Sequence, residues 1–242
     1  MKSLSVTPVK TPIYHGENLT DFITDNLPQE LVQDGIILAV TSKIVSLSEH
    51  RLIPQSQISK ENLVKQEADV FLGEIGYGCF LTVKDGLLIP SAGIDESNSE
   101  TGSYILYPKD PFESAHRLWK DLKQKFKLTH FGLILTDSHT TPLRRGVTGI
   151  ALSHWGFHPI RKMVGTKDLF GRELKMTNMN LVDGIATAAV MMMGEGSEST
   201  PLAVVSGVDV EFSDLSHAED LSIPLNDDLY GPVLRTYLEA HR

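Results

Sequence analysis

The segment TDSHTTPLRRGVTGIALSHWGF, residues 136–157, directly follows the apolar run Gly132–Leu135. The apolar run predicts a buried strand, and Asp137 and Ser138 then place a carboxylate and a hydroxyl at its carboxyl end. Folds that combine helices and sheets tend to build their sites at such strand ends. A turn or a helix cap is the alternative explanation for these two residues.

Two stretches could bind an anion. Arg144 and Arg145 stand in a Pro-Leu-Arg-Arg-Gly turn and could fork onto phosphate or carboxylate oxygens, or could be solvated loop charges. The loop MGEGSESTP, residues 193–201, could cradle a phosphate with the exposed amides around Gly194 and Gly196. A helix C-cap at Gly194 is the alternative for that loop.

Oxygen ligands for a divalent cation occur in two places. In SAGIDESNS, residues 91–99, Asp95 and Asn98 belong to a cluster of hard oxygen donors of the kind that Mg²⁺ and Mn²⁺ prefer. An Asx-type turn is the alternative there. Glu195, in the glycine loop, could also reach a metal.

The composition limits the classes of partner and compartment. The chain has 242 residues and a formal net charge of −9, which disfavours a nucleic-acid partner because a polyphosphate would be repelled. Its single cysteine, Cys79, cannot form an intrachain disulfide and is predicted to be a buried, inert thiol. No signal peptide and no membrane-spanning run are predicted. We therefore expect a cytoplasmic protein without a membrane partner.

Hydrophobic periodicity and turn signals predict an irregular mixture of helices and strands. The chain contains no strict βαβ repeat, which favours an α+β fold with mixed or antiparallel sheets. The principal predicted elements are a buried strand at residues 36–40, a helix at 60–74, a hairpin at 80–95 with an Asp85-Gly86 turn, a helix at 110–126 capped by Asp110, a strand at 131–137 and a helix at 182–194 that ends at a glycine.

Several common chemistries are absent from the sequence. It has no Walker phosphate loop, no dinucleotide fingerprint and no nucleophile elbow, and His139, His154 and His158 do not have zinc-finger spacing. Separated carboxylates, an arginine pair and a glycine loop remain. Together these groups are what phosphoryl transfer assisted by a divalent metal requires.

Six motifs occur in a recognisable order over roughly residues 34–210: DGIILAVTSKIVSLSEHR, SAGIDESN, ILYPKDPFESA, TDSHTTPLRRGVTGIALSHWGF, GTKDLFGRELKMT and VDGIATAAVMMMGEGSESTPLAVVSG. Their order and spacing resemble those of the coenzyme F420-0:L-glutamate ligase family. Such a resemblance implies a ligase that uses GTP and Mg²⁺ or Mn²⁺, with K⁺ as a further cation, to join L-glutamate to an acceptor carboxylate. It also implies a homodimer, and a chain whose 242 residues form one continuous unit of two interwoven subdomains.

The resemblance also implies roles for individual residues. The residues that it and the chemistry above single out are Asp95, Asp137 and Arg144 as catalytic groups, Asp95, Asp137, Ser138 and Glu195 as metal ligands, and Ser42, Lys43, Asn98, Gly194 and Gly196 as contacts to the nucleotide.

The sequence departs from the family pattern in two places. Leu47 stands where family members often carry lysine, and residues 139–143 differ from the common form of the central motif. The metal carboxylates are unaffected, but the acceptor is left open between F420-0 and a folate. A nucleotide- or metal-binding module that has lost ligase activity is the alternative function, and a metal-dependent phosphohydrolase is a third.

Overall fold

The computed structural model describes residues 3–97 and 102–239, with only the backbone described at Glu239. Asn98, one of the predicted nucleotide contacts, therefore lies outside the described residues. The strands are β1 (Ser5–Val9), β2 (Ile36–Thr41), β3 (Leu52–Pro54), β4 (Val70–Gly76), β5 (Cys79–Lys84), β6 (Leu87–Pro90), β7 (Ser103–Ile105), β8 (Phe131–Thr140), β9 (Val147–Trp155), β10 (Ile160–Lys162), β11 (Asn178–Asn180) and β12 (Leu202–Ser206). The helices are α1 (Leu19–Asn26), α2 (Ser42–Ser48), α3 (Lys60–Glu67), α4 (Pro111–Phe126), α5 (Leu181–Met193) and α6 (Gly231–Glu239).

The largest sheet among the described residues has five strands in the order β1-β12-β2-β8-β9. Its strands β2 and β8 run parallel, whereas the other neighbouring pairs are antiparallel. Parallel neighbours need a long crossover connection, and the chain between β2 and β8 supplies it. This sheet, together with the helices that pack on it, confirms the predicted α+β class with mixed and antiparallel pairing.

Alternating side chains of β2 and β8 fill two hydrophobic cores on opposite faces of the sheet. Leu38 and Leu133 pack in the core that also receives α1, α2 and α4. Ile37 and Ile134 pack on the other face, against α5. Because both faces are covered, the two strands are almost uniformly apolar, as parallel strands usually are. Polar groups can therefore enter this part of the molecule only where the apolar runs stop.

Residues 52–105, as far as the structure describes them, add no strand to the five-stranded sheet. They form the β3–β7 pair and the three-stranded β4-β5-β6 meander, around a core that includes Leu63 and Phe80. The predicted hairpin at residues 80–95 is confirmed as β5 and β6, which are joined at residues 85–86. The two interwoven subdomains and the homodimer remain predictions.

Two helices confirm the capping signals in the sequence. The Asp110 side chain accepts a hydrogen bond from Glu113 N at 3.0 Å, which satisfies one of the free amides at the start of α4. Helix α5 ends at Gly194, whose φ of +83° few other residues adopt without strain. These caps set the ends of the helices that cover the two faces of the sheet.

Two element boundaries differ from the prediction. The predicted helix at 60–74 is wrong beyond Glu67, because residues 70–76 pair with β5 as the strand β4. The predicted strand at 131–137 is too short, because β8 continues to Thr140 and forms a hairpin with β9. Residues 136–157 are therefore mostly strand rather than a loop behind a strand end.

Two predictions from composition can also be compared with the structure. Cys79 is half-buried at the β4–β5 hairpin, so the prediction of a fully buried thiol is wrong. Its position beside the hairpin turn, rather than in the middle of a strand, explains the exposure. Among the described residues, no helix is both long enough and apolar enough to cross a membrane. The cytoplasmic location stays a prediction.

Candidate active site

The parallel pairing of β2 and β8 brings two predicted motifs to one edge of the sheet. Thr41 pairs with Thr136, so the next residues, Ser42 and Asp137, lie at the same level. At this point β2 ends and α2 begins, with Ser42 as its first residue and Lys43 as its second. The sheet register therefore explains why residues that are far apart in sequence meet here.

Asp137 is a half-buried carboxylate with a specific hydrogen-bond donor. The Tyr107 hydroxyl donates to Asp137 Oδ2 at 2.5 Å. Burial raises the pKa of Asp137 to about 6, with a further increase from Asp95, while hydrogen bonds from Tyr107 and the Ser138 amide and the charge of Lys43 oppose the increase. The site thus holds a carboxylate whose ionised form is costly unless a cation is close by.

Asp95, which affects the pKa of Asp137, has a different environment. Lys43 Nζ lies 2.5 Å from Asp95 Oδ2, and the Ser97 amide donates to Oδ1 at 2.6 Å. Burial acts to raise the pKa of Asp95, but the hydrogen bonds from Lys43 and Ser97 outweigh it, so the pKa lies below its ordinary value. Backbone hydrogen bonds with Ile105 fix the Asp95 main chain beside β7.

Tyr107 is held against the turn that precedes Asp95. A Cβ atom on Gly93 would lie 2.0 Å from Tyr107 Cζ, so only glycine allows the ring to pack there. Ser91, Ala92 and Gly93 all have positive φ values, an arrangement that costs free energy and must be held by its surroundings. Thr82 holds it, because its hydroxyl oxygen accepts the Ala92 N–H at 2.8 Å.

Burial also raises the pKa of Tyr107 well above its ordinary value, with a further increase from Asp137. The phenol therefore stays protonated and acts as a donor toward Asp137 at neutral pH. Asp95 raises the pKa of Asp137, and Lys43 lowers the pKa of both carboxyl groups. The cluster, defined here as Lys43, Asp95, Tyr107 and Asp137, presents two carboxylates to one small region.

Ser138 does not share this region with Asp137. Successive side chains of a strand point to opposite faces, and both residues lie within β8. Asp137 pairs with Ile150, which packs in a cluster with Tyr107, whereas Ser138 pairs with Gly149, which lies against Val190 of α5. The two side chains therefore lie on opposite faces of β8, and the role of the Ser138 hydroxyl as a metal ligand stays a prediction.

The other predicted residues lie at exposed positions. Arg144 is in the turn between β8 and β9, with its guanidinium unpaired within the described ranges 3–97 and 102–239. Glu195 is also exposed and is not paired with either aspartate of the cluster. The Gly196 amide donates to Glu198 Oε2 at 2.8 Å, and the same carboxylate covers Gly194. A side chain of the loop thus occupies the amide that was predicted to cradle a phosphate.

Sequence reasoning missed one residue of the cluster and one contact within it. Tyr107 was overlooked because it ends the apolar run Tyr104–Tyr107 just before a proline. An aromatic residue in such a run is usually interpreted as part of the hydrophobic core. Its polar tip at the end of that run is the signal that could have identified it. The direct pairing of Lys43 with Asp95 carried no sequence signal, because it depends on how residues 52–105 fold back onto the sheet.

A family model described as F420-0:gamma-glutamyl ligase matches residues 8–207 of the chain. The chain belongs to this family. The family of ligases forms carbon–nitrogen bonds, and so the chain is an enzyme of that class.

Curated relatives agree with the family model along most of the chain. A coenzyme F420:L-glutamate ligase of Methanocaldococcus jannaschii is 31% identical, over 95% of this chain and 97% of its own. The enzyme of the same name from Methanopyrus kandleri is 32% identical, over 84% of this chain and 86% of its own. A third, from Archaeoglobus fulgidus, is 33% identical, over 82% of this chain and 84% of its own. The similarity thus includes both halves of the Asp95–Asp137 cluster.

Proposed function

We propose that the enzyme joins the amine of L-glutamate to the terminal carboxylate of F420-0 through an amide bond, at the expense of GTP. The relatives are coenzyme F420:L-glutamate ligases, which supports glutamate and an F420-type acceptor as the substrates to be joined. The observation that carries the proposal is the meeting of Asp95 and Asp137, together with Lys43, at the carboxyl end of β2. An enzyme with a net charge of −9 needs such a place to hold a triphosphate.

The cluster fits a divalent cation of the Mg²⁺ or Mn²⁺ type. Both cations prefer carboxylate oxygens, and Asp95 is near enough to raise the pKa of Asp137. Burial raises the pKa of Asp137 because it disfavours the ionised carboxylate, and a bound cation would stabilise that ionised form. When bound, the cation supplies charge neutralisation for the triphosphate and the transferring phosphoryl group.

The nucleotide is proposed to lie along the start of α2. Ser42 and Lys43 open this helix, and the first amides of a helix are free to donate to phosphate oxygens. The Lys43 ammonium, held at 2.5 Å by Asp95, adds a positive charge at the same point. Arg144 and the loop at 194–196 remain candidate contacts, and both would have to move toward the phosphates to take part.

The chemistry that we propose has two steps. A carboxylate oxygen of the acceptor attacks the γ-phosphorus of GTP, a new P–O bond forms, and GDP leaves, which gives an acyl phosphate on the acceptor. The glutamate amine then attacks the acyl carbon, phosphate leaves with the C–O bonding electrons, and the amine loses a proton. The first step replaces the oxygen of the carboxylate, which is a poor leaving group, with phosphate, which is a good one. A nucleotide is required because it supplies that phosphoryl group.

The residues of the cluster would position and balance charge rather than form covalent bonds. Tyr107 keeps its proton and donates it in a hydrogen bond to Asp137 Oδ2, which fixes the direction of the carboxylate. Lys43 balances the charge of Asp95. Such fixed charges stabilise a phosphoryl-transfer transition state without reorganising during the reaction.

A direct test is mass spectrometry of F420-0 after incubation with the full chain, L-glutamate, GTP and Mn²⁺. We expect a mass gain of one or more glutamyl units, with phosphate release that requires both glutamate and acceptor. A folate in place of F420-0, and ATP in place of GTP, are the comparison arms. Phosphate release without glutamate would instead indicate a phosphohydrolase, and nucleotide binding without turnover would indicate a module that has lost ligase activity.

A further inference from the structure

Three metal-binding side chains meet on a part of the surface that shares no residue with the active-site cluster. His158, His217 and Asp220 each offer a ligand atom, and these atoms all lie within 4.8 Å of one another. Ligand atoms on a tetrahedral Zn²⁺ are roughly 3.3 Å apart, given bonds of about 2.0–2.1 Å. Small side-chain rotations would therefore close the three atoms onto one ion.

Local structure explains why two of these ligands point the same way. His217 immediately precedes the short 3₁₀ turn Ala218–Asp220, and side chains three residues apart are eclipsed in such a turn. His217 Nδ1 lies 3.2 Å from Asp220 Oδ2, which is already close to the ligand spacing expected on zinc. On the other side of the ring, Nε2 lies 3.0 Å from Ser213 Oγ. A ligating histidine usually has such an outer partner, which fixes its ring orientation.

The third ligand comes from the end of β9. Phe157 bridges to Phe212, and the His158 amide donates to the Glu211 carbonyl at 2.9 Å, so this backbone is fixed beside the C-terminal segment. The His158 ring centroid lies 3.7 Å from that of His217. Its nearest carboxylate partner, Glu211, is 4.0 Å from Nε2, which is too long for a hydrogen bond. One imidazole nitrogen is thus available beside a preformed His–Asp pair.

Access and ligand chemistry both indicate the class of metal. A cleft of about 450 Å³ is lined by His158 and Glu211, and Asp220 is exposed, so two of the three side chains can be reached from solvent. Two imidazoles and one carboxylate form a borderline N/O donor set, which suits Zn²⁺ and neighbouring transition metals better than Mg²⁺ or Ca²⁺. We propose that His158, His217 and Asp220 bind a Zn²⁺-type dication, which ties the segment after β12 to the end of β9.

The test uses the full chain with saturating Mg²⁺, so that hard oxygen sites are already filled. Zn²⁺ is titrated calorimetrically, and Co²⁺ serves as the spectroscopic probe. We expect one equivalent of Zn²⁺ to bind and raise the melting temperature, and Co²⁺ to give the visible bands of a tetrahedral site. His158→Gln and Asp220→Asn should each weaken Zn²⁺ binding at least about tenfold, the lower end of the loss caused by removing even an outer partner.

The matched control is His130→Gln. His130 Nδ1 lies 2.8 Å from Asp34 Oδ2, an exposed His–Asp pair without a second imidazole, so this variant should bind Zn²⁺ as the wild type does. Unchanged Zn²⁺ affinity in both His158→Gln and Asp220→Asn would overturn the proposal. So would loss of binding in Cys79→Ser, which would place the ion on the thiol. If one variant fails to fold, the Co²⁺ spectrum of the wild type and the other variant still decide.

Discussion

Asp137, which is half-buried, and His154, which is buried, are titratable side chains on the adjacent strands β8 and β9, but their surroundings differ. Asp137 has the Tyr107 hydroxyl as donor and lies near Asp95 and Lys43. Both ring nitrogens of His154 are buried and without a hydrogen-bond partner in the described structure, and its ring meets the edges of aromatic neighbours. Burial raises the pKa of Asp137 to about 6 and lowers that of His154 to about 4.

The comparison shows that burial of a titratable side chain does not by itself indicate a catalytic role. Burial favours the neutral form of both groups, so a shifted pKa alone identifies neither as catalytic. Asp137 differs because a second carboxylate and a lysine lie around it, so that an added cation would have several groups to bind. The His154 ring lies against Phe112 and Phe157, and the charged groups that affect its pKa are His217, Asp220 and His158. We infer that Asp137 belongs to the reaction and that His154 belongs to the core.

The largest expected effect is on catalysis. Asp137→Asn keeps the shape and the hydrogen bond to Tyr107 but removes the charge that would hold the cation. Glutamyl transfer should fall roughly a thousandfold, the upper range for losing one electrostatic contact to a transition state. His154→Phe should retain activity within a few fold. Steady-state assays of both variants check this, with Asp214→Asn as an exposed control, and comparable losses in both variants would break the distinction.

The next effect concerns the turn that supports Tyr107. Gly93→Ala combines a positive φ of +70° with a Cβ at 2.0 Å from Tyr107 Cζ, so we expect about 4 kcal/mol of destabilisation from strain and overpacking together. Gly86→Ala is the matched control, because its φ is +77° but no atom lies within 4 Å of the added Cβ. It should lose only about 1 kcal/mol. Urea unfolding measures both, and equal losses would show that Tyr107 does not press on this turn.

A pH series tests the two titratable groups with opposite signs. The pKa of His154 is lowered from 6.5 to about 4 on folding, so the unfolded state binds more protons in that window and stability falls as pH falls. His154→Phe should not show this loss. Relative to the wild type, its free energy of unfolding should rise by about 3 kcal/mol as the pH is lowered from 6.5 to 4. Asp137 contributes stability below pH 4 that is lost as pH rises through about 6.

Asp137→Asn should accordingly be more stable than the wild type at pH 8, by about 3 kcal/mol, with little difference at pH 4. Both series are measured by urea unfolding in buffer that contains a metal chelator. The stability advantage of His154→Phe over the wild type should grow as pH falls, whereas that of Asp137→Asn should grow as pH rises. Parallel curves for all three proteins would mean that neither group is shifted by burial.

The smallest effect is that of the hydroxyl that directs Asp137. Tyr107→Phe removes a donor to a half-buried carboxylate and should cost about 2 kcal/mol of stability, together with a loss of activity. Tyr14→Phe is the control, because the Tyr14 hydroxyl donates to the Glu17 carbonyl, away from the cluster. It should cost about 1 kcal/mol and leave activity intact. Full activity in Tyr107→Phe would show that the hydrogen bond does not orient Asp137 for the reaction.

The fold was largely predictable because local signals and burial agree in the sequence. The apolar run at 36–40, the Asp110 cap and the Asp85-Gly86 turn each specify one local structure, and each is confirmed. The prediction of a helix at 60–74 was wrong in its second half. The apolar residues there fit the spacing of a helix or of a strand, and pairing with β5 makes the segment a strand. Propensity yields to tertiary contacts in such segments.

The site was predictable only in part. Asp95 and Asp137 were identified from their residue type together with the family resemblance, and the structure places both near Lys43. Ser138 was assigned as a metal ligand because the resemblance implies an Asp–hydroxyl metal pair; its side chain lies on the other face of β8 from Asp137, and the assignment stays a prediction. The cluster of His158, His217 and Asp220 could not be found by spacing, because its members join only when the segment after β12 returns to β9.

The central claim is that Asp95 and Asp137 hold one cation for the nucleotide. Electron paramagnetic resonance of Mn²⁺ with GTP tests it most directly, applied to the wild type and to Asp95→Asn, Asp137→Asn and Glu195→Gln. We predict protein-bound Mn²⁺ in the wild type and its loss in each aspartate variant, with Glu195→Gln close to the wild type. Bound Mn²⁺ that survives in both aspartate variants would contradict the account.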